Sequence, residues 1–108
     1  MRIVKSVVGT GSATVVPTGA VSTNTAVTVT FPNGVSGVPV ALRASGSVSG
    51  IIVLQYGAGD QVQLPVNPNA PFTQVKIPSG AYKTPVSTVN LYYQAAGAGS
   101  IFIFVDYA

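Results

Sequence analysis

From Val89 to Ala108 the side chains alternate in character with a period of two. Val89, Leu91, Tyr93 and Ala95 interleave with Asn90, Tyr92 and Gln94; after Gly97-Ala98-Gly99-Ser100 the pattern resumes, with Ile101, Ile103, Val105 and Tyr107 set against Phe102, Phe104 and Asp106. Successive side chains of a strand point to opposite faces, so this spacing predicts two strands joined by a short glycine-containing turn, a hairpin at the centre of the domain. The second strand is apolar on nearly both faces. That is the pattern of a central strand covered on two sides.

The rest of the chain repeats the theme in shorter pieces. Ile3–Val8 reads as a first strand ended by Gly9-Thr10-Gly11, and Ala13–Val16 as a second stopped by Pro17, with Thr18-Gly19-Ala20 as a turn. Thr25–Phe31 alternates cleanly, Val27, Val29 and Phe31 on one face and Thr28 and Thr30 on the other, and Pro32-Asn33-Gly34 supplies turn chemistry after it. Val38–Ala44 follows with Val38, Val40, Leu42 and Ala44 inward and Pro39, Ala41 and Arg43 outward. Ile51–Tyr56 is a dense strand that turns through Gly57-Ala58-Gly59-Asp60 into Gln61–Leu64, where Val62 and Leu64 face in. Pro65–Pro71 is a surface loop around Asn67-Pro68-Asn69, Phe72–Ile77 a further strand, and Pro78–Pro85 a long connection into the terminal hairpin. No window holds a helical apolar stripe that glycine or proline does not interrupt, so essentially no α-helix is expected.

Seven to nine short strands at roughly ten-residue spacing, separated by Gly/Pro turns, define an all-β chain forming one antiparallel β-sandwich domain over residues 1–108. Spacing leaves a jelly roll and an immunoglobulin-like sandwich equally open. A chain of 108 residues can bury a core without staples, which fits the absence of cysteine.

Composition narrows the chemistry. Charged residues make up 6% of the chain, namely Arg2, Lys5, Arg43, Lys76, Lys83, Asp60 and Asp106; there is no glutamate, histidine, cysteine or tryptophan. Histidine-dependent nucleophilic triads are therefore impossible. No S-x-x-K spacing supports a serine–lysine nucleophile, and the two aspartates are far apart in sequence. Zinc and copper lack their usual ligands, and Asp60 with Asn67 and Asn69 offers little to calcium, so the asparagines read as turn residues. No cofactor is implied. Gly9-x-Gly11, Gly57-x-Gly59 and Gly97-x-Gly99 lack the helix and lysine of a phosphate loop and read as hairpin turns.

A net charge of +3, scattered along the chain, marks no nucleic-acid track. No run reaches the roughly 18–20 apolar residues of a membrane helix. The N-terminal run is cut by Lys5, Gly9 and Gly11, so a secretory signal is not expected and synthesis in the host cytoplasm is.

Two resemblances add to this reading. Thr28–Val40, TVTFPNGVSGVPV, looks like the opening of receptor-binding and lectin-like modules of phage tails. Val53-Leu54-Gln55-Tyr56-Gly57, Val62-Gln63-Leu64-Pro65 and Asn90-Leu91-Tyr92-Tyr93-Gln94-Ala95-Ala96-Gly97 together resemble small β-sandwich virion proteins of tailed phages, of the capsid decoration or cement kind. The second resemblance implies a non-enzymatic structural protein of the virion. Its partners would be a major capsid protein and further copies of itself, in a homo-oligomer such as a trimer, with neither nucleic acid nor membrane. The alternative is a carbohydrate- or receptor-binding module of a tail or fibre. Candidate interface or ligand-binding residues are Tyr82, Tyr92 and Tyr93, Asn67 and Asn69 of the loop, and Ile3 and Lys5 of the first strand. Tyr92 shares a predicted strand face with Asn90 and Gln94, which would make a flat polar–aromatic patch.

Overall fold

The structure, a computed structural model, describes residues 9–17, 19, 25–69 and 73–108. Among these residues lie eight strands: β1 (Gly9–Val15), β2 (Thr25–Thr30), β3 (Pro39–Gly46), β4 (Gly50–Gly57), β5 (Asp60–Val66), β6 (Thr73–Lys76), β7 (Thr88–Ala95) and β8 (Ile101–Tyr107). The only helical geometry among them is one 3-10 turn at Pro32–Gly34. There Asn33 (φ 59°) and Gly34 (φ 68°) both take left-handed backbone and the Val35 N–H donates to the Pro32 carbonyl at 3.1 Å. Asparagine and glycine are the residues that tolerate this pair of conformations.

The strands form two four-stranded antiparallel sheets, ordered β1-β8-β3-β6 and β2-β7-β4-β5, in a sandwich-like arrangement. Only β4 and β5 are consecutive in sequence and paired, through a tight turn in which Gly59 takes φ 80°. Every other consecutive pair of strands is divided between the sheets.

This topology corrects the expectation of a terminal hairpin. β7 pairs with β2 and β4, whereas β8 pairs with β1 and β3, so residues 96–100 cross from one sheet to the other. The local pattern identified both strands, and both are central. It could not identify their partners, because a short glycine-rich link serves a crossing as well as a hairpin. β8 is also less covered than expected, since Phe102 on its outer face is 44% exposed.

Gly9-x-Gly11 is likewise not a turn but part of β1, which starts at Gly9 and pairs in register from Gly9–Tyr107 to Val15–Ile101. The expected strand Ile3–Val8 and residue Phe72 lie outside the described residues. In β3, Leu42 and Ala44 are fully buried as expected, but Pro39 and Ala41 are buried too and Val40 only half so. The ladder to β8 shifts register between Pro39 and Ala41; such a bulge breaks strict alternation at the start of the strand.

The core lies between the sheets. Val29, Leu91, Ile52, Leu54 and Leu64 of one sheet meet Leu42, Ala44, Ile101, Ile103 and Val105 of the other, all 2% exposed or less. One end of the core is filled by Tyr107 of β8, stacked on Phe31 with ring centroids 4.2 Å apart and planes 22° apart. Glycines make the room for it. A Cβ at Gly9 or at Gly37 would run into the Tyr107 ring, and one at Gly11 would lie 2.6 Å from Phe31 Cδ1.

Candidate functional site: the two outer sheet faces

Strand alternation that sends one set of side chains into the core sends the other set outward, so each sheet presents an outer face. The two faces differ in chemistry.

On the β1-β8-β3-β6 sheet, the outward positions of β8 are Phe102, Phe104 and Asp106, opposite Thr14, Ser12 and Thr10 of β1 and Ser45, Arg43 and Ala41 of β3. Asp106 is only 7% exposed despite facing outward. Its carboxylate accepts from Arg43 Nε (2.8 Å to Oδ2), Arg43 Nη2 (2.9 Å to Oδ1) and Thr10 Oγ1 (2.7 Å to Oδ1). The two-pronged guanidinium contact ties β3 to β8, and the Thr10 hydroxyl ties β1 to the same carboxylate. Burial alone would push the Asp106 carboxyl up, but the hydrogen bonds from Arg43 and Thr10 and the charge of Arg43 outweigh it and hold the carboxyl below its ordinary value. The guanidinium is raised in turn, chiefly by its hydrogen bond to Asp106. Arg43 also sits over the Phe104 ring, 5.1 Å from its centroid. The other aspartate, Asp60, lies in the β4–β5 turn of the opposite sheet, so the two carboxylates do not form a pair.

On the β2-β7-β4-β5 sheet, the outward residues of β7 are Asn90, Tyr92 and Gln94. Tyr92 stands between Ala26 of β2 and Val53 of β4, and Gln94 stands opposite Ile51. Gln63 and Pro65 of β5 continue these rows beyond Val53 and Ile51. Val53 is 8% exposed yet outside the core cluster, so its cover comes from this outer face. Thr28 Oγ1 donates to Asn90 Oδ1 at 2.9 Å. Among the described residues, none of the outward side chains of these four strands is charged apart from Asp60 at the β4–β5 turn. At the end of the sheet lies an open cleft of about 340 Å³ lined by Ser49, Gly50, Ile51, Gln94 and Ala96 together with Val66 and Ala95, whose side chains belong to the core. A Cβ at Gly50 would lie 2.5 Å from the Gln94 carbonyl oxygen, so only glycine lets the strands close up here.

The expected patch of Asn90, Tyr92 and Gln94 is thus one surface, while the three candidate tyrosines are separated. Tyr92 is half-buried on the outer face; Tyr93, its neighbour in β7, faces the opposite way and packs against the core. Tyr82, in the β6–β7 connection, packs against the core too, and burial raises its phenol above the ordinary value. Asn67 and Asn69 are exposed, Asn67 Oδ1 accepting from the Asn69 N–H at 2.9 Å in a local turn. Ile3 and Lys5 lie outside the described residues. Sequence reasoning missed the Arg43–Asp106–Thr10 cluster. All three residues sit at outward strand positions, but sequence spacing does not disclose that β1, β8 and β3 are neighbours.

The chain matches no protein-family model, and neither a curated protein nor a solved structure shows significant similarity to it.

Proposed function

We propose that this chain is a structural protein of a phage virion, a jelly-roll subunit that decorates or cements the capsid through protein–protein contacts. The observation that carries the reading is the nested strand order, 1-8-3-6 against 2-7-4-5, in which only β4 and β5 form a sequence-local hairpin. That order supports reading the fold as an eight-stranded double-sheet jelly roll, an architecture used in viral capsid domains as well as in lectins. Fold alone does not assign a function, and the side chains add a second argument. Of the seven charged residues, Arg43 and Asp106 neutralise one another in a structural cluster. Among the described residues the rest of the surface is mostly amide, hydroxyl and apolar groups, with Asp60, Lys76 and Lys83 as its exposed charges, suited to fitting against neighbours.

In this reading the partners are a major capsid protein and further copies of the chain, grouped about a symmetry axis as a trimer. The contacts fall on strand edges and loops, including Asn67–Asn69 and the residue 81–85 connection. Sedimentation of the purified chain, alone and with particles of the virus that encodes it, tests the proposal. A defined oligomer that travels with the particle is expected; a monomer that never joins the particle refutes it.

A further inference from the structure

The outer face of the β2-β7-β4-β5 sheet combines an aromatic ring, side-chain amides and an open cleft. We propose that this face, centred on Tyr92 and running into the cleft beside Gln94, binds a neutral oligosaccharide.

A neutral sugar presents two chemistries at once: an apolar C–H face on each ring and a rim of hydroxyls that both donate and accept. Tyr92 supplies an amphipathic aromatic partner for the first, half-exposed on a flat strand surface and flanked by the small Ala26 and by Val53. Side-chain amides match the second, because each offers a donor pair and an acceptor. Gln94 stands two residues along the same strand, and Gln63 stands beyond Val53 in the row of Tyr92. Neither of these glutamines uses its side chain in a hydrogen bond to another described residue, whereas Asn90 is engaged by Thr28. Unengaged amides beside an aromatic ring are a ready hydrogen-bonding surface.

The cleft gives this surface an end. It is shallow and open, about 340 Å³, a shape that admits the end of an extended ligand rather than enclosing a small one. Gln94 lines the cleft and lies two residues from Tyr92 on the same face of β7, so one extended ligand can lie along the strand and place its last ring beside Ile51 and Ser49. Neutrality selects the class. Phosphorylated, sulfated or uronic sugars, like nucleic acids, require cations to offset their charge, and the described residues of this face offer none.

This inference stands apart from the virion reading: a chain that fails to join particles can still bind sugar, and the reverse. The test is amide chemical-shift mapping of the full chain by NMR, titrated with cellohexaose, maltohexaose and chitohexaose, and with oligogalacturonate as the charged control. At least one neutral probe is expected to shift the signals of Gln94, Gln63, Val53 and Ser49, with no response to the control. Tyr92→Ala should then weaken that probe's dissociation constant by about tenfold, while Tyr92→Phe keeps it within about twofold. Three results overturn the proposal: no shift with any neutral probe at millimolar concentration; shifts confined to another face; or the same amides shifting with protein concentration in the absence of sugar, which would make the face a contact between copies of the chain.

Discussion

The packing of Tyr107 between glycines makes a quantitative prediction. A Cβ at Gly37 would overlap the Tyr107 ring and lie 2.9 Å from its Cγ, well inside ordinary contact. Tyr107 cannot step aside, because it is 4% exposed and stacked on Phe31. Gly37 is itself pinned by paired backbone hydrogen bonds to Val86, 2.9 and 2.8 Å long. Gly37→Ala should therefore carry an overpacking cost of about 1–3 kcal/mol. Tyr107→Ala, which removes the ring, its Cγ and the stack, should cost about 3–5 kcal/mol. In the double variant only the Cβ of residue 107 stays close, 3.1 Å away, so the Gly37 penalty should largely vanish. The coupling in the double-mutant cycle should then be about 1–3 kcal/mol in the favourable direction. Urea unfolding of the four proteins, with equal slopes as the check on two-state behaviour, measures it. Strict additivity would refute the claim that Gly37 is glycine because of Tyr107.

Other outcomes follow from the same geometry. Leu42→Ala, at a site with no exposure, should lose about 2–5 kcal/mol in the same denaturation assay. Asp106→Asn should cost about 1–2 kcal/mol, less than a fully buried pair would, because the Arg43 side chain is 33% exposed and can turn to water. The carboxyl of Asp106 is held low in the folded protein. Its stabilising contribution is therefore complete above about pH 4 and is lost as pH falls further, through the depressed folded value; thermal melts across that range should show a shallower acid decline in Asp106→Asn. The phenol of Tyr82 is raised by burial. Its contribution persists below about pH 10 and disappears as pH rises through the folded value, so Tyr82→Phe should flatten the alkaline limb of the stability profile.

Much of the architecture was legible residue by residue. Period-two alternation located β2, β5, β7 and β8 and told Val27, Val29 and Phe31 from Thr28 and Thr30, because burial of one face leaves that mark on each strand separately; a dense apolar run located β4. Asn33-Gly34 and Gly59 announced their turns, because few residues tolerate positive φ. What alternation could not convey was which strands pair. Nothing in residues 96–100 distinguishes a reversal within one sheet from a passage to the other, and the partners of β8 lie far away in sequence. Gly9 and Gly11 misled for a related reason: glycine marks both a sharp bend and a place where another side chain comes close, and the side chains in question were Tyr107 and Phe31. On the candidate site, Asn90, Tyr92 and Gln94 were legible because they lie on one strand. Gln63, Ile51 and the cleft were not, since they reach Tyr92 and Gln94 only through the β4–β5 and β4–β7 ladders.

The position of β8 also bears on how the molecule is made. β1 and β3 lie on either side of it, and β8 is translated after both. While the nascent chain grows, those earlier strands have nothing to hold them side by side; β3 can pair with β6, but the edges that β1 and β3 turn toward β8 wait unpaired. A ribosome that stalls before Ile101 leaves behind not a slightly shorter sandwich but half of one, with raw strand edges open to whatever strand arrives first.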